Sequence, residues 1–466
     1  MKIAKVKIRK LLVNFLSLFL IIILYTNQTE AFLSIKDEAE LGEGFLKKIQ
    51  SQFELAEYPY LVEYINGLGL YIGKQIEVPY FPLNCYVIKD NTINAFAAPA
   101  GHVFFFSGLI NILDTVDELA SVLSHELGHV SGRHLALRME RSKKIGLATM
   151  AGILAGALIG GDVAGAIMTG SIAAGIQAEL GYSRDNERQA DQLGLKYASI
   201  SGFDPWGMVS VLKKMQKERW YSQGNMPSYL LTHPGAAERM SNIETMAKNA
   251  GIAPECKESQ KFRLEFPLFH TMVMALCSER SFAIRQFNKK LQKDSTSPIA
   301  HYGLGLILEQ EGSAKDALSH FKIARERMPN SIPIMFSTGK AYQDTGQYTK
   351  SLPILREALN KSPKDKTIMS LLALSLQKLE LYEEALTIYK RLTFLPPVED
   401  SVYYNLGFIY GRQGKLSQAH YNLGIYFKRQ KRLEKARFHF KKAKEHNEGD
   451  HLLMEKLDEA LNGLVN

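Results

Sequence analysis

Two histidines and a glutamate form the pattern H-E-x-x-H at His125, Glu126 and His129. Residues i and i+4 lie on the same face of an α-helix, so both imidazoles can bind one metal ion. Zinc binds histidine nitrogen, and a glutamate next to it can take a proton from water. The pattern therefore predicts a zinc hydrolase. The alternative is a surface helix that happens to carry two histidines.

Apolar residues before and after this pattern favour a buried helix over a surface helix. They recur at helical spacing, as a helix that carries an active site in a protein core requires. These residues are Leu113, Val116, Leu119, Ala120, Val122, Leu123, Leu127 and Val130.

A catalytic zinc site usually has three protein ligands, so a third must come from elsewhere in the chain. The longer metzincin pattern would place a histidine at Leu135, but the histidine here is His134, one residue early. Glu187 and Asp191 are spaced i, i+4 on a predicted helix. One of these carboxylates can bind zinc while the other orients a ligating histidine. Considered alone, the pair is also typical of a solvated helix face.

Several further segments make the chain similar to the zinc metallopeptidases related to the CaaX prenyl protease, in their soluble periplasmic branch. The resemblance covers roughly residues 37–245, and one departure is Ala100, where the family commonly has glycine. Besides the H-E-x-x-H segment, the matched residues are Asn94–Ala97, Pro99, Gly101–Phe104, Gly108–Leu109, Arg133–His134, Ser183–Arg184, Glu187, Ala190–Asp191, Gly202–Pro205, Thr232–Pro234 and Arg239.

This resemblance implies a role for each matched polar residue. His125, His129 and Glu187 would bind one Zn²⁺ per chain, with Glu126 as the general base. Asp191 would be a carboxylate that supports a ligand. His233 and Arg239 would lie near the metal and stabilise the developing oxyanion, or His233 would cap the zinc in a resting state.

Two short apolar runs, 95–97 and 103–106, predict strands separated by a turn at Pro99 and Gly101. A strand at the edge of an active-site cleft can pair with an extended substrate backbone. An ordinary core hairpin is the alternative.

A 34-residue period after Ser297 predicts tetratricopeptide repeats, in which small residues let two helices touch and prolines end the second helix. Two positions are small: Gly305, Gly339, Ala373 and Gly407, and twelve residues later Ala317, Ser351, Ala385 and Ala419. The large apolar position is Phe321, Leu355 and Tyr389, and the proline position is Pro329, Pro363 and Pro397. A unit around Gly424, Ala436, Phe440 and Ala443 follows after half a period, which predicts a shared helix. Ala283 and Phe287 indicate a degenerate leading repeat.

The first 31 residues predict a signal peptide, because a basic start precedes the apolar run 11–25 and a cleavage-like Thr29-Glu30-Ala31. An uncleaved signal anchor is the alternative. We therefore expect a signal peptide at 1–31, a metallopeptidase domain at 32–255 and a repeat domain at 256–466. Export places the protein in the bacterial periplasm. Cys256 and Cys277 could pair there, or remain buried thiols.

The Gly- and Ala-rich stretch 145–180 is compatible with a membrane hairpin, but each half is slightly short for a span. Close-packed helices over the cleft are the favoured interpretation, and peripheral membrane contact through this stretch stays open.

The net charge of +9 is unevenly distributed along the chain. Residues 32–279 carry 22 basic and 27 acidic residues, whereas 280–466 carry 30 basic and 20 acidic residues. The basic excess of 280–466 is compatible with binding to an acidic partner, such as the acidic half of this chain. It is equally compatible with basic residues spread over a solvated surface. No nucleic-acid-binding motif is present, so no nucleic-acid partner is expected.

The fold expected is mainly α with a small β-sheet in a zincin-like α+β protease domain, followed by an all-α tetratricopeptide solenoid. The function expected is an exported zinc endopeptidase. The resemblance implies misfolded or stalled outer-membrane proteins as substrates, the outer-membrane barrel-assembly machinery as partner, and a chaperone-like role. The alternative is a repeat scaffold or chaperone whose protease domain is regulated or inert.

Overall fold

The computed structural model describes residues 34–141, 182–221, 227–251 and 256–464. The predicted signal peptide (1–31) and the Gly- and Ala-rich stretch (145–180) lie outside these ranges. Within them, no helix combines the length and the apolar character that crossing a membrane requires.

The described residues form two compact units, with the boundary between Val273 and Met274. The domain limits expected from the sequence, 32–255 and 256–466, stay a prediction. The helices of the first unit are α1 (Ile35–Gln52), α2 (Pro59–Gly73), α3 (Ser107–Asn111), α4 (Val116–Ser131), α5 (His134–Arg141), α6 (Arg184–Ile200), α7 (Gly207–Tyr221), α8 (Ser228–Thr232), α9 (Ala236–Ala250) and α10 (Lys257–Cys277), which crosses the boundary.

A three-stranded sheet lies in the first unit, with the strand order β1-β3-β2. Its strands are β1 (Asn84–Ile88), β2 (Ala95–Ala98) and β3 (His102–Phe106). β3 is parallel to β1 and antiparallel to β2, with Ala97 opposite Val103. The two strands expected from the sequence and their turn are present, and β2 is an edge strand.

An aromatic core joins this sheet to α1. Phe45 of α1 packs edge-on against Phe96, with ring centroids 5.9 Å apart, and lies at the same distance from Phe104. All three rings are fully buried. This packing fixes the strands beside α1 and sets the position of the β2 edge.

The turn between β2 and β3 explains the departure at Ala100. This residue has φ 63°, in the left-handed region that favours glycine. Gly42 of α1 leaves room for its methyl group, because a Cβ on Gly42 would lie 2.5 Å from the Ala100 Cβ. The turn thus keeps its conformation with alanine in place of glycine.

The helix that carries H-E-x-x-H, α4, begins with a capping box between Thr115 and Glu118. It packs against α6 at two glycines. A Cβ on Gly128 would lie 2.8 Å from the Ala190 carbonyl oxygen, and one on Gly194 would lie 2.9 Å from the His125 Cα. The close approach brings the acidic residues of α6 beside the histidines of α4.

The first part of α10 packs on the N-terminal end of α4. Arg263 donates to both carboxylate oxygens of Asp117 and to the Gly202 carbonyl. Its guanidinium lies 5.6 Å from the Phe203 ring centroid. Arg263 therefore ties three segments of the first unit together.

Paired helices make up the second unit. They are α11 (Arg280–Lys293), α12 (Pro298–Gln310), α13 (Ala314–Arg327), α14 (Ile332–Asp344), α15 (Tyr348–Lys361), α16 (Lys366–Lys378), α17 (Tyr382–Leu392), α18 (Asp400–Arg412), α19 (Leu416–Arg429), α20 (Leu433–Glu445) and α21 (His451–Asn462). The second helices α13, α15 and α17 end shortly before Pro329, Pro363 and Pro397, as the repeat pattern predicts.

The small and large positions of the repeat meet between helices. A Cβ on Gly305 would lie 2.5 Å from the Phe321 ring, and one on Gly339 would lie 2.6 Å from Leu355. Phe287 of α11 packs in the same way against Gly303 of α12. The leading degenerate repeat thus belongs to the same packing series.

The half-period spacing has a structural explanation in α19. Gly407 of α18 faces Leu423 of α19, and Gly424 of α19 faces Phe440 of α20. One helix therefore completes one pair and begins the next, as the sequence predicts.

The expected fold class is confirmed: the chain is mainly helical, with one small sheet among the described residues and a helical repeat unit. Cys85, Cys256 and Cys277 are all in the thiol form, so the Cys256–Cys277 disulfide is not formed in the structure.

Candidate metal centre

All seven site residues suggested by the sequence lie together in the first unit. α4 supplies His125, Glu126 and His129, and α6 supplies Glu187 and Asp191. His233 directly follows α8, and Arg239 lies on α9. Their exposed fractions range from 0 to 5%.

Four of these residues direct a ligand atom toward one point: His125, His129, Glu187 and His233, whose ligand atoms all lie within 4.8 Å of one another. The His125 Nε2 atom lies 3.1 Å from His129 Nε2 and 3.3 Å from His233 Nδ1. The Glu187 Oε1 atom lies 3.4 Å from His129 Nε2 and 3.1 Å from His233 Nδ1.

These separations fit a tetrahedral zinc ion. Zinc–nitrogen and zinc–oxygen bonds of about 2.1 Å at tetrahedral angles place neighbouring ligand atoms about 3.4 Å apart. The set of three imidazoles and one carboxylate is also a donor set that zinc accepts. In addition, Glu126 Oε1 and His233 Nε2 are buried and have no hydrogen-bond partner among the described residues.

Asp191 and Arg239 support His125 from behind. The Asp191 Oδ1 atom lies 3.0 Å from His125 Nδ1, and Arg239 donates to both Asp191 oxygens at 2.7 and 2.9 Å. Burial favours the neutral acid, but hydrogen bonds from His125 and Arg239 outweigh it and lower the pKa of Asp191. The ionised Asp191 accepts a hydrogen bond from His125 Nδ1–H, which leaves Nε2 unprotonated toward the cluster.

Glu187 is ionised for a similar reason. Its pKa lies well below the ordinary value although burial opposes this, because His233 and Arg239 stabilise the carboxylate. The Arg239 Nη1 atom lies 2.8 Å from Glu187 Oε2. Burial would lower the pKa of Arg239, but Glu187 and Asp191 raise it. One guanidinium thus balances two buried carboxylates.

The pKa values of two histidines in the cluster shift in opposite directions. Burial lowers the pKa of His129 well below its ordinary value, although Glu187 opposes the shift. Burial acts in the same direction on His233, but Glu187 and Glu126 outweigh it and raise the pKa of His233.

Glu126 lies between the cluster and the sheet. Its Oε2 atom accepts a hydrogen bond of 2.9 Å from the Ala97 backbone N–H. Its Oε1 atom lies 3.5 Å from His233 Nε2. The edge of β2 thus fixes one carboxylate oxygen and leaves the other directed into the site.

Two aromatic residues at the site were missed in the sequence. Tyr182 stacks on His129 with ring centroids 3.7 Å apart, and Tyr229 stacks on His233 at 4.3 Å. Burial raises the pKa of Tyr229 well above its ordinary value. Tyr229 precedes His233 by one helical turn, which was the available signal, whereas nothing in the spacing of Tyr182 marks it.

Comparison with known proteins agrees with this geometry. Residues 63–247 match the family model described as "Peptidase family M48", and residues 336–401 match "Tetratricopeptide repeat". The beta-barrel assembly-enhancing protease of Yersinia pestis is 33% identical over 220 residues, 47% of this chain and 45% of that protein.

Two further relatives are more informative about the extent of the similarity. A putative beta-barrel assembly-enhancing protease of Vibrio cholerae is 30% identical over 312 residues, 64% of this chain and 62% of that protein. The mitochondrial metalloendopeptidase OMA1 of Schizosaccharomyces pombe is 30% identical over 177 residues, 37% of this chain and 49% of that protein. Each match spans less than two thirds of the relative's length. Residues 63–247, which contain the metal cluster, therefore match peptidase family M48, and a match to tetratricopeptide repeats follows them in the chain.

Proposed function

We propose that the chain is an exported zinc endopeptidase that hydrolyses peptide bonds of misfolded or stalled outer-membrane proteins. The observation that carries the proposal is the buried cluster of His125, His129, Glu187 and His233 beside Glu126. Periplasmic location rests on the leader-like residues 1–31. The barrel-assembly partner rests on the names of the relatives, and the substrate class and the chaperone-like role rest on the resemblance of residues 37–245 to the family.

His125, His129 and Glu187 would hold the zinc, with His233 as a fourth ligand in the closed state. Zinc bound there would act as a Lewis acid that polarises water and the substrate carbonyl. Asp191 keeps the proton on His125 Nδ1, so that Nε2 presents its lone pair. Arg239 holds Glu187 and Asp191 ionised, so its role here is to balance charge.

Glu126 is the general base in this proposal. The Ala97 N–H holds its Oε2 atom at 2.9 Å and thereby fixes the carboxylate in one orientation. The Oε1 atom is then the oxygen that takes a proton from the attacking water and later delivers it to the leaving amine.

The edge of β2 is suited to hold an extended substrate. Phe106 N donates to the Asn94 carbonyl, so in the alternating antiparallel pattern the backbone groups of Ala95 and Ala97 point away from β3. Because the Ala97 N–H donates to Glu126, a substrate strand would pair with the Ala95 backbone groups and the Ala97 carbonyl, which would give affinity with little sequence preference.

The test is Glu126→Gln, which keeps the shape and the Ala97 contact but removes the base. We expect casein cleavage to fall by at least about 100-fold, since general-base catalysis contributes that much or more. Zinc content should stay at one ion per chain. Glu63→Gln, which changes an exposed glutamate of α2, is the matched control and should keep full activity. Substantial cleavage by the Glu126→Gln protein would refute the mechanism.

The burial of the whole cluster favours a regulated protease as the second candidate. Every ligand is at most 2% exposed in this conformation, which fits a closed site. The repeat unit would then act as a scaffold or chaperone while the protease domain is closed. If His125→Ala and the wild type rescue an outer-membrane assembly defect equally well, the scaffold function is the correct one.

A further inference from the structure

His134 lies next to the metal cluster, although its register in the sequence does not predict a role there. It was excluded as a zinc ligand by its register, and its ligand atoms lie outside the four-residue cluster. It is nevertheless 98% buried, and its ring packs edge-on against His129 with centroids 5.0 Å apart. Its Nδ1 atom lies 2.9 Å from His129 Nδ1.

The hydrogen-bond partners of His134 determine which of these two nitrogens carries the proton. His134 Nε2 lies 3.0 Å from Gln189 Oε1, an acceptor, so Nε2 carries the hydrogen and donates it. A neutral imidazole protonated at Nε2 has a lone pair on Nδ1. His134 Nδ1 is therefore the acceptor, and His129 Nδ1–H is the donor.

The hydrogen bond to His134 also determines the protonation of the other ring nitrogen of His129, Nε2. With the hydrogen on Nδ1, the Nε2 atom of His129 directs a lone pair at His125 and Glu187, which is the state that a metal ligand needs. Asp191 does the same for His125 with a carboxylate. The two histidines of α4 are thus supported differently, one by a charged acceptor and one by a neutral acceptor.

The backbone conformation of Gly132 and Arg133 places the His134 ring against His129. A Cβ on Gly132 would lie 2.5 Å from His134 Nε2, so only glycine leaves room for the ring. Arg133 has φ 48°, a left-handed conformation that costs a non-glycine residue about 1–3 kcal/mol.

An ion pair holds this strained residue in place. Arg133 donates to Oε2 of Glu38 on α1 at 2.6 and 3.0 Å, and Glu38 is buried. Its guanidinium also lies 5.4 Å from the Tyr80 ring centroid. A strained turn fixed from two sides is expected where the geometry serves the site.

We infer that His134 is a positioning residue, which accepts a hydrogen bond from His129 Nδ1–H and is itself oriented by Gln189. It keeps His129 in the tautomer that binds the metal at Nε2. This inference rests on the proposed function, because it assigns to His129 the role of a ligand.

Zinc affinity of the full chain, measured by competition with a chelator, tests the inference without the need for activity. His134→Ala removes the acceptor, and we expect zinc to bind roughly 10- to 100-fold more weakly, as for other groups that support metal ligands. His134→Asn places an amide oxygen near the position of Nδ1 and should restore most of the affinity. Gln189→Leu should have a smaller effect in the same direction.

The matched control is Leu135→Ala. Leu135 is the next residue and is also buried, but it packs in the aromatic core with α1. Its truncation should lower the melting temperature of the zinc-free protein and leave zinc affinity within about twofold.

The inference alone is overturned if the wild type binds one zinc ion and His134→Ala binds it equally well, or if Leu135→Ala loses as much affinity as His134→Ala. A wild-type chain that binds no zinc would overturn both this inference and the proposed function. His134→Asn binding as weakly as His134→Ala would show that the residue only fills space.

Discussion

At the scale of single residues, His233 has two proposed roles that the geometry separates. Its Nδ1 atom lies among the ligand atoms, 3.1 Å from Glu187 Oε1 and 3.3 Å from His125 Nε2. A residue that only stabilises an oxyanion should lie outside the group of ligand atoms that His125, His129 and Glu187 provide. The position therefore favours the capping role.

We expect His233→Ala to increase casein cleavage, because its removal opens a coordination position for water and substrate. Zinc affinity should fall less than in His129→Ala, since His125, His129 and Glu187 all remain and water can take the fourth position. Proteolysis and chelator competition on the same preparations measure both effects. Cleavage reduced to the level of Glu126→Gln would instead assign His233 to transition-state stabilisation.

The sequence predicts those members of the cluster whose helical spacing places them on one face of a helix. H-E-x-x-H and the pair Glu187/Asp191 could be found because i and i+4 share a helix face. His134 was weighed as a ligand and rejected on register, and its contact with His129 depends on a left-handed Arg133 that no periodicity shows. Tyr182 stacks on His129 through tertiary packing alone.

At the scale of secondary-structure elements, the position of α6 against α4 decides whether the site exists. The two helices approach through Gly128 and Gly194, where any Cβ would contact the backbone of the other helix. Backbone atoms cannot move aside as a flexible side chain can, so the helices would have to separate.

We therefore expect Gly194→Ala to destabilise the first unit by about 1–3 kcal/mol, as overpacking in a dense core does. Zinc binding should also weaken, because Glu187 and Asp191 move with α6 away from the histidines. Chemical denaturation and chelator competition measure the two effects. Gly44→Ala is the matched control, since a Cβ on Gly44 meets nothing within 4 Å.

If Gly194→Ala and Gly44→Ala bind zinc equally tightly, the close approach of α4 and α6 does not position the site. Overlap of alanine with a neighbouring backbone is a direct consequence of the geometry. The predicted loss of zinc affinity is therefore a test of the helix spacing and requires no assumption about catalysis.

Elements with a strong period were predicted well, and those fixed by distant contacts were not. The hairpin of β2 and β3 follows from local apolar runs and a turn. β1 was missed, because its parallel pairing with β3 passes over β2, which lies between the two strands in the sequence. The repeat helices were found from the 34-residue period, which includes the shared helix α19.

At the scale of the whole molecule, the charge distribution separates the two parts of the chain. The acidic region 32–279 contains the metal cluster, and the basic region 280–466 contains the repeats. Residues 1–31 carry five basic residues and one acidic residue, and beyond them the excess of positive charge thus lies in the region of the repeats. It is compatible with acidic protein partners of the repeat unit.

The repeat unit also contains two histidine pairs at the same spacing, each joining consecutive helices. His301 and His320 approach with their Nδ1 atoms 2.8 Å apart, and His420 and His439 approach at 2.9 Å. Burial lowers the pKa of His320, with His301 as a further cause. Burial also lowers the pKa values of His420 and His439, to which His446 and His420, respectively, contribute.

These lowered pKa values make the stability of the repeat unit depend on pH. Below about pH 6.5, the ordinary pKa of histidine, the unfolded chain binds more protons than the folded unit. The free energy of unfolding must then fall as the pH falls from 7.5 toward 5.5. Two protonated imidazoles at hydrogen-bond distance would also repel each other.

We expect the melting temperature of the repeat unit, followed by far-UV circular dichroism, to be lower at pH 5.5 than at pH 7.5. His439→Gln keeps a polar partner for His420 but removes one of the titrating rings, so the difference between the two pH values should shrink. His451→Gln changes an exposed histidine of α21 and should retain the full difference. An equal pH dependence in all three proteins would mean that the histidine pair does not control the acid stability of the repeats.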